Sequence, residues 1–449
     1  MSKSTTTSDK EAPVFIVGAG PSGLAAGWRL SKFGRPAVIL ESSDRVGGQL
    51  WTIRENGFTI EAGTVILPSA YEAVVNLVRE AGLMSELVIT NQTVGFIRDG
   101  KISYIHADSL ITDFLKSDLL SLKAKLRLAR IGIDALRYRN MCSYEDLSMA
   151  SQIDTETPEG YCKRHGFPDE VYDYLVSPTV KSMLGVRADR ISVAEFFFIW
   201  QKILGTKLYV FQNGYSTFPE TLASTLDVRK NCTVREVIEE GNRVRVTWTD
   251  ADGKSKTEYG AGCIITSYGN VVPDIMPQLD KDNVDFLKHL EFSSALNIIF
   301  GLSRPPAGIA ASVITIPDSV DPGWNALVFQ HNQAQGRVPD GKGLCSILAT
   351  VEWSVKHFDD ADDVIAKHAA EVIDRVVPGF SQDIEFSRVY RWHPILCYSH
   401  PGLYKKLGRF MVRRPNGRIQ LAGSYFSSGC VNTAVVAGEL AVRRILPKL

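Results

Sequence analysis

The stretch that most constrains this chain is a strand, a glycine turn and a helix close to its start. Val14–Val17 is a short apolar run with β-branched residues, which predicts a buried strand. Gly18-Ala19-Gly20-Pro21-Ser22-Gly23 follows at once. Leu24–Phe33 reads as a helix ended by Gly34, and Ala37–Leu40 as a second buried strand ending on Glu41. Strand before, helix after and acid at the second strand end form the βαβ dinucleotide fingerprint in its required context. Gly18 permits the tight turn, Gly20 lets the backbone approach a pyrophosphate, and Gly23 lets helix and strand pack closely. Pro21 and Ser22 belong to the turn before the helix, whose free N–H groups and positive dipole end face the phosphates. Glu41 sits where a carboxylate accepts from ribose hydroxyls.

A second signature begins directly after Glu41. Ser42-Ser43-Asp44-Arg45-Val46-Gly47-Gly48-Gln49 completes a Glu-x-x-x-Arg-x-Gly-Gly pattern. Arg45 can neutralise pyrophosphate charge, and the adjacent Gly47 and Gly48 let the backbone pass close to a flat cofactor. Here the chain resembles the FAD-dependent flavin amine oxidase superfamily, which includes monoamine and polyamine oxidases, protoporphyrinogen oxidases and phytoene desaturases. The resemblance implies FAD rather than a nicotinamide. The family usually has Arg after the glycine pair; Gln49 keeps only a neutral amide. Gly57–Gly63 resembles the family's next strand, and Gly63 and Thr64 are implied to approach the flavin.

The length of 449 residues predicts two or three domains. The expected class is α/β: a Rossmann-type, GR2-like FAD-binding domain with a mixed-sheet substrate domain and a helical insertion. FAD-binding segments are expected at 12–68, 206–266 and 391–449. The helical insertion and first substrate segment fall at 69–205, the second substrate segment at 267–390, and a loose tail at 1–11. Fifty Lys+Arg balance fifty Asp+Glu, so nothing suggests a nucleic-acid partner. Seven scattered cysteines without a CxxC argue for reduced thiols in a cytoplasmic protein, against disulfides or zinc. The eight histidines are dispersed, so no metal site is expected. No apolar run reaches the roughly 18–20 residues of a membrane span.

Residues 70–205 read as mostly helical. Leu115, Leu119, Leu122, Leu126, Ala129, Ile133 and Leu136 recur at spacings of three and four, predicting one amphipathic helix through 114–139. Its other faces carry Lys116, Lys123, Lys125, Arg127, Arg130, Arg137 and Arg139. A helix lying on an anionic membrane, with the protein peripherally attached, is one reading. A solvated basic face over an apolar core contact is the expected one. Thr233–Val237 and Arg243–Thr249 predict a hairpin around Gly241-Asn242, and Cys263–Ser267 a buried strand. Asn297–Leu302 and Leu344–Trp353 read as strands of the substrate domain.

The last sixty residues carry the rest of the resemblance. Arg391-Trp392 through His400-Pro401-Gly402 is similar to the family's return toward the flavin. Gly417–Ser424 resembles its last cofactor strand, and Thr433–Leu446 reads as a helix whose N-terminus points at the flavin. By that resemblance Gly423, Ser424, Val431 and Asn432 touch the cofactor, and a strand residue near Val234 meets the adenine. The family commonly has an acid where Ser424 stands. Cys397-Tyr398 is similar to the cysteine–tyrosine pair through which monoamine oxidases tether flavin. The shorter spacing to His400 and the Arg391-Trp392 pattern look like the non-covalent branch. The layout is nearest the protoporphyrinogen oxidase and phytoene desaturase-like branch.

The chemistry implied is dehydrogenation of a bulky, mostly apolar small molecule, with C–C desaturation favoured and O2 as electron acceptor. Tyr398 is the expected first wall of the substrate site. Cys430, too small for a second aromatic wall, leaves a wide face. Asn283 stands where the family's flavin-side lysine is expected, with Lys281 offset by two. The alternatives are an amine oxidase forming an imine, a flavin-dependent isomerase, and a non-catalytic flavin-binding scaffold.

Overall fold

Three short runs of four apolar residues place themselves side by side because each is buried on both faces. The computed structural model describes residues 12–203 and 205–449; the tail read at 1–11 lies outside the described residues. Val14–Val17 pairs in parallel with Ala37–Leu40 on one side and Gly262–Ile265 on the other. Ile419–Leu421 extends the sheet beyond Gly262–Ile265. Asp227–Arg229 closes the opposite edge; with one apolar residue in three, it carried no strand signal. The fingerprint helix runs Pro21–Lys32, starting earlier than expected because Pro21 suits the first helical turn.

A second sheet of seven strands is mixed. Its order is Ile384–Trp392, Ala295–Leu302, Gly343–Ala349, Trp324–Phe329, Val313–Thr315, Thr93–Arg98, Lys101–His106. Val313–Thr315 pairs in parallel with Thr93–Arg98, and the other neighbours are antiparallel. The last two strands correct the helical reading of 70–205. They form a hairpin on Asp99-Gly100, both at positive φ, a turn signal present in the sequence. The expected strand Leu344–Trp353 ends at Ala349, where Thr350 caps the helix Val351–Lys356. The hairpin Thr233–Glu240 with Arg243–Thr249 forms as expected and gains a third strand, Ser255–Gly260.

The predicted single helix over 114–139 is two helices, Leu110–Lys116 and Leu122–Arg137. Ser121 breaks it by accepting the Ala124 N–H as a cap, while Leu119 and Leu120 turn inward. The expected orientation is also reversed. Ala124, Ile131, Asp134 and Ala135 face the core, and the leucine stripe faces solvent. Buried Asp134 is tolerated because the Tyr161 hydroxyl and Arg130 Nε each donate to it at 2.7 Å. No helix among the described residues is long and apolar enough to cross a membrane.

The chain's two ends meet at the fingerprint helix. The C-terminal helix Val431–Ile445 packs on it so closely that a Cβ on Gly438 would lie 2.1 Å from the Ser22 carbonyl oxygen. Arg29 ties the same pair, donating from Nε and Nη2 to Glu439 at 2.8 and 2.7 Å and from Nη1 to Glu80 at 2.5 Å. Gly438→Ala gains about 1 kcal/mol of helix propensity. It loses more by forcing the helices apart, about 1–3 kcal/mol for overpacking. A net loss of stability in urea unfolding is expected; a more stable variant would contradict the close approach.

Candidate active site

The carboxyl ends of the parallel strands open onto a cleft of about 510 Å³, the place where ligands bind in such sheets. Gly18, Gly20, Pro21, Ser22, Glu41, Ser42, Arg45, Gly48 and Gln49 line it from the first segment. Val234 lines it from the hairpin, and Gly423, Ser424, Cys430 and Val431 from the last segment. Sequence reading missed Thr266, Ser267 and Tyr268, which follow the Gly262–Ile265 strand, and Phe292. The first three had a signal, because loops after parallel strands line such clefts; Phe292 had none.

The turn is built for a close ligand. Gly18 holds φ +99°, and a Cβ on Gly23 would sit 1.9 Å from the Gly18 carbonyl oxygen. A Cβ on Gly20 would meet nothing within 4 Å, so the cleft is open above it. The Ser22 hydroxyl is buried at the helix N-terminus without a protein partner. Ser267 Oγ and Tyr425 Oη, also at the cleft, are likewise unpartnered among the described residues. Orphaned donors at a helix N-terminus fit a phosphate. Glu41 does a second job: its Oε2 accepts the Ala19 N–H at 2.7 Å, and its Oε1 accepts the Ser43 N–H and hydroxyl at 2.9 and 2.8 Å. The guanidinium of Arg45 lies 4.5 Å from the Trp51 ring centre and donates to the Gly48 carbonyl at 2.7 Å. Burial lowers its pKa, opposed by Glu41 and Asp44.

Several expected residues lie elsewhere. Gly23, Gly47, Gly63, Thr64 and Asn432 support the cleft rather than line it. Gly47 takes φ +100° against Leu50 and Pro219, and Gly63 makes room for the Gln49 carbonyl, which Thr64 N–H also reaches at 3.0 Å. Asn432 Oδ1 accepts the Val74 N–H. Asn283 is buried in its own helix, bonded to Asp280 and the Arg413 carbonyl, away from the cleft. Tyr398 pairs into a two-stranded ribbon with Glu291, to which its hydroxyl donates at 2.7 Å; it lines neither cleft nor cavity. Cys397 is buried in the same ribbon, its thiol pushed well up by burial. The wall facing the cleft is instead Arg391–Leu396. Cys430 is the helix cap, its Sγ accepting from Thr433 N–H at 3.5 Å.

Ile395 and Leu396 have a second side. They also line an apolar cavity of about 190 Å³, so the two spaces share a wall. Val94, Phe96, Val313, Val328 and Leu348 of the seven-stranded sheet close one side, and Leu175, Met183 and Trp200 of the helical segment the other. Among the described residues Lys181 is the one charged residue lining it, paired with Asp318 at 2.5 Å.

Glu195 binds the helical segment to the last one. Its carboxylate, fully buried, accepts the Ser399 N–H at 2.8 Å and the Ser428 hydroxyl at 3.0 Å, two residues before Cys430. Burial raises its pKa from 4.5 to about 7 against those hydrogen bonds.

The family described as flavin containing amine oxidoreductase matches residues 21–446. Coproporphyrinogen III oxidase of Bacillus subtilis is 21% identical, covering 98% of this chain and 99% of that enzyme. Mitochondrial protoporphyrinogen oxidase of Nicotiana tabacum is 27% identical over 41% of this chain, a stretch that spans only 35% of that enzyme. Among solved structures, a double mutant of putrescine oxidase superposes with a TM-score of 0.80 at 18% identity, covering 97% of this chain and 99% of that one.

The Glu195 contact sets a pH dependence. A carboxyl whose pKa is raised by folding binds more protons folded than unfolded, so stability falls as pH rises from about 4.5 to about 7. Glu195→Gln keeps an acceptor and removes the charge. Between about pH 5 and about pH 8 the variant should lose less stability than the parent in thermal melts; equal losses would contradict a charged buried Glu195.

Proposed function

The chain belongs to the flavin-containing amine oxidoreductase family, and we propose that it is a non-covalent FAD enzyme dehydrogenating a bulky, uncharged, mostly apolar small molecule. The observation that carries this reading is the apolar cavity that shares Ile395 and Leu396 with the cofactor cleft. Bound in that cleft, FAD supplies a two-electron acceptor for a hydride, with O2 as the final oxidant.

The residues divide the work. Ser22 and the fingerprint helix N-terminus, with Arg45, hold the diphosphate. Glu41 takes the adenosine ribose while bracing Ala19. The burial of Cys397 outside the cleft wall supports a flavin held without a covalent bond. Among the described residues the mostly apolar lining holds no carboxylate to anchor an ammonium group. This favours hydrogen loss from carbon, forming a C=C bond, over imine formation from an amine. The relatives named as porphyrinogen oxidases support a ring-bearing substrate.

Purified protein mixed anaerobically with cyclic compounds, polyenes and amines tests the reading. Bleaching of the flavin absorbance by a ring or polyene, followed by reoxidation on admitting air, is expected. Bleaching by small primary amines alone would restore the amine oxidase alternative. Hydrogen shifts without oxidant consumption would make the protein an isomerase.

A further inference from the structure

We propose that the outward face of the helices Leu110–Lys116 and Leu122–Arg137 is a docking surface for an anionic lipid bilayer. Leu122, Leu126, Ile133 and Leu136 are 74%, 71%, 61% and 67% exposed. At 100° per residue they fall, with Ala129, in one stripe about 80° wide, directly opposite the buried Ala124, Ile131 and Ala135. Ile111 and Leu115 of the preceding helix are exposed as well. A soluble face rarely gathers six large apolar side chains on two consecutive helices.

The charges beside the stripe select the occupant. Lys123, Arg127 and Arg137 follow one flank, where Arg130 is paired to Asp134, and Lys125 stands on the other with its ammonium donating to the Leu115 and Ser117 carbonyls. Of the three acids in this stretch, Asp134 is buried under Arg130 and Tyr161, and Asp113 is held by His106 and Ser109. Asp118 alone is exposed. The chain as a whole is neutral, so the basic excess is local. An apolar stripe between basic flanks matches acyl chains beneath anionic headgroups; a second copy of the same face would oppose like charges. The face also adjoins the apolar cavity: Leu110, next to exposed Ile111, lines it. A bilayer there sits beside the entrance for a lipid-soluble molecule, and the docking itself stands independently of what the substrate is.

Flotation of the flavin-loaded protein with two vesicle preparations tests this. One is phosphatidylcholine alone, the other phosphatidylcholine mixed with phosphatidylglycerol. The protein should float with the anionic vesicles only and be released by high salt. Leu126→Ser with Ile133→Ser should lower the partition coefficient at least about tenfold. Lys123→Gln with Arg127→Gln should lower it about fivefold per charge. Both variants should keep their flavin absorbance and helical circular dichroism. Failure of the parent protein to float, or equal flotation with both preparations, would overturn the proposal. So would a parent dimer, seen by sedimentation, that the leucine variant dissociates.

Discussion

The structure depends on the contact between the first and last helices. Gly438 lets Val431–Ile445 lie against the Ser22 backbone, and Arg29 clamps Glu439 and Glu80 around the joint. That contact brings Ser22, at one end of the chain, within the same cleft as Cys430 and Val431, at the other. Between them the chain leaves the cofactor fold and returns to it, adding Asp227–Arg229 and Gly262–Ile265 to the same sheet before the last segment closes it. The insertion is fastened back at fixed points. Glu195 reaches Ser399 and Ser428, Asn432 reaches Val74, and Asp154 accepts the Tyr404 N–H at 2.7 Å.

A second buried charge cluster fixes the substrate side. Glu61 and Arg337, both fully buried, lie 3.2 Å apart, with the Thr52 hydroxyl donating to Glu61 at 2.7 Å. Burial raises Glu61 to about 7, opposed first by Arg337. Removing either partner would strand a buried charge, so the pair holds strand Phe58–Glu61 firmly. Gly63, two residues on, then makes its close approach to Gln49, and Trp392 Nε1 donates to the Ala62 carbonyl at 2.9 Å. These contacts join the floor of the cleft to the wall that it shares with the cavity.

The cofactor half was legible in the sequence because its signals are local. A turn that needs Gly18 and Gly23, and buried parallel strands that read as unbroken apolar runs, can be seen without knowing their neighbours. The substrate half was not, because there pairing decides. Resemblance puts Tyr398 before the flavin. Its pairing with Glu291 turns the ring away, and Ile395 and Leu396 form the wall. The resemblance puts Asn283 in the place of the family's lysine, whereas in the structure it is bonded to Asp280 and the Arg413 carbonyl. The 114–139 periodicity correctly showed an apolar stripe. A period fixes that a stripe exists and leaves open which side meets the core; buried Asp134, an unfavourable core residue by type, reversed that choice.

In the proposed reaction the substrate reacts from the cavity beyond Ile395 and Leu396. Val328, which lines that cavity and is not among the residues lining the cofactor cleft, offers the most direct test. The measurement is the anaerobic rate of flavin bleaching in Val328→Phe, using the compound that bleaches the parent. With flavin per chain unchanged, the rate should fall by about tenfold or more, a barrier increase of about 1.4 kcal/mol. An unchanged rate with full flavin content would mean that the substrate approaches by another route.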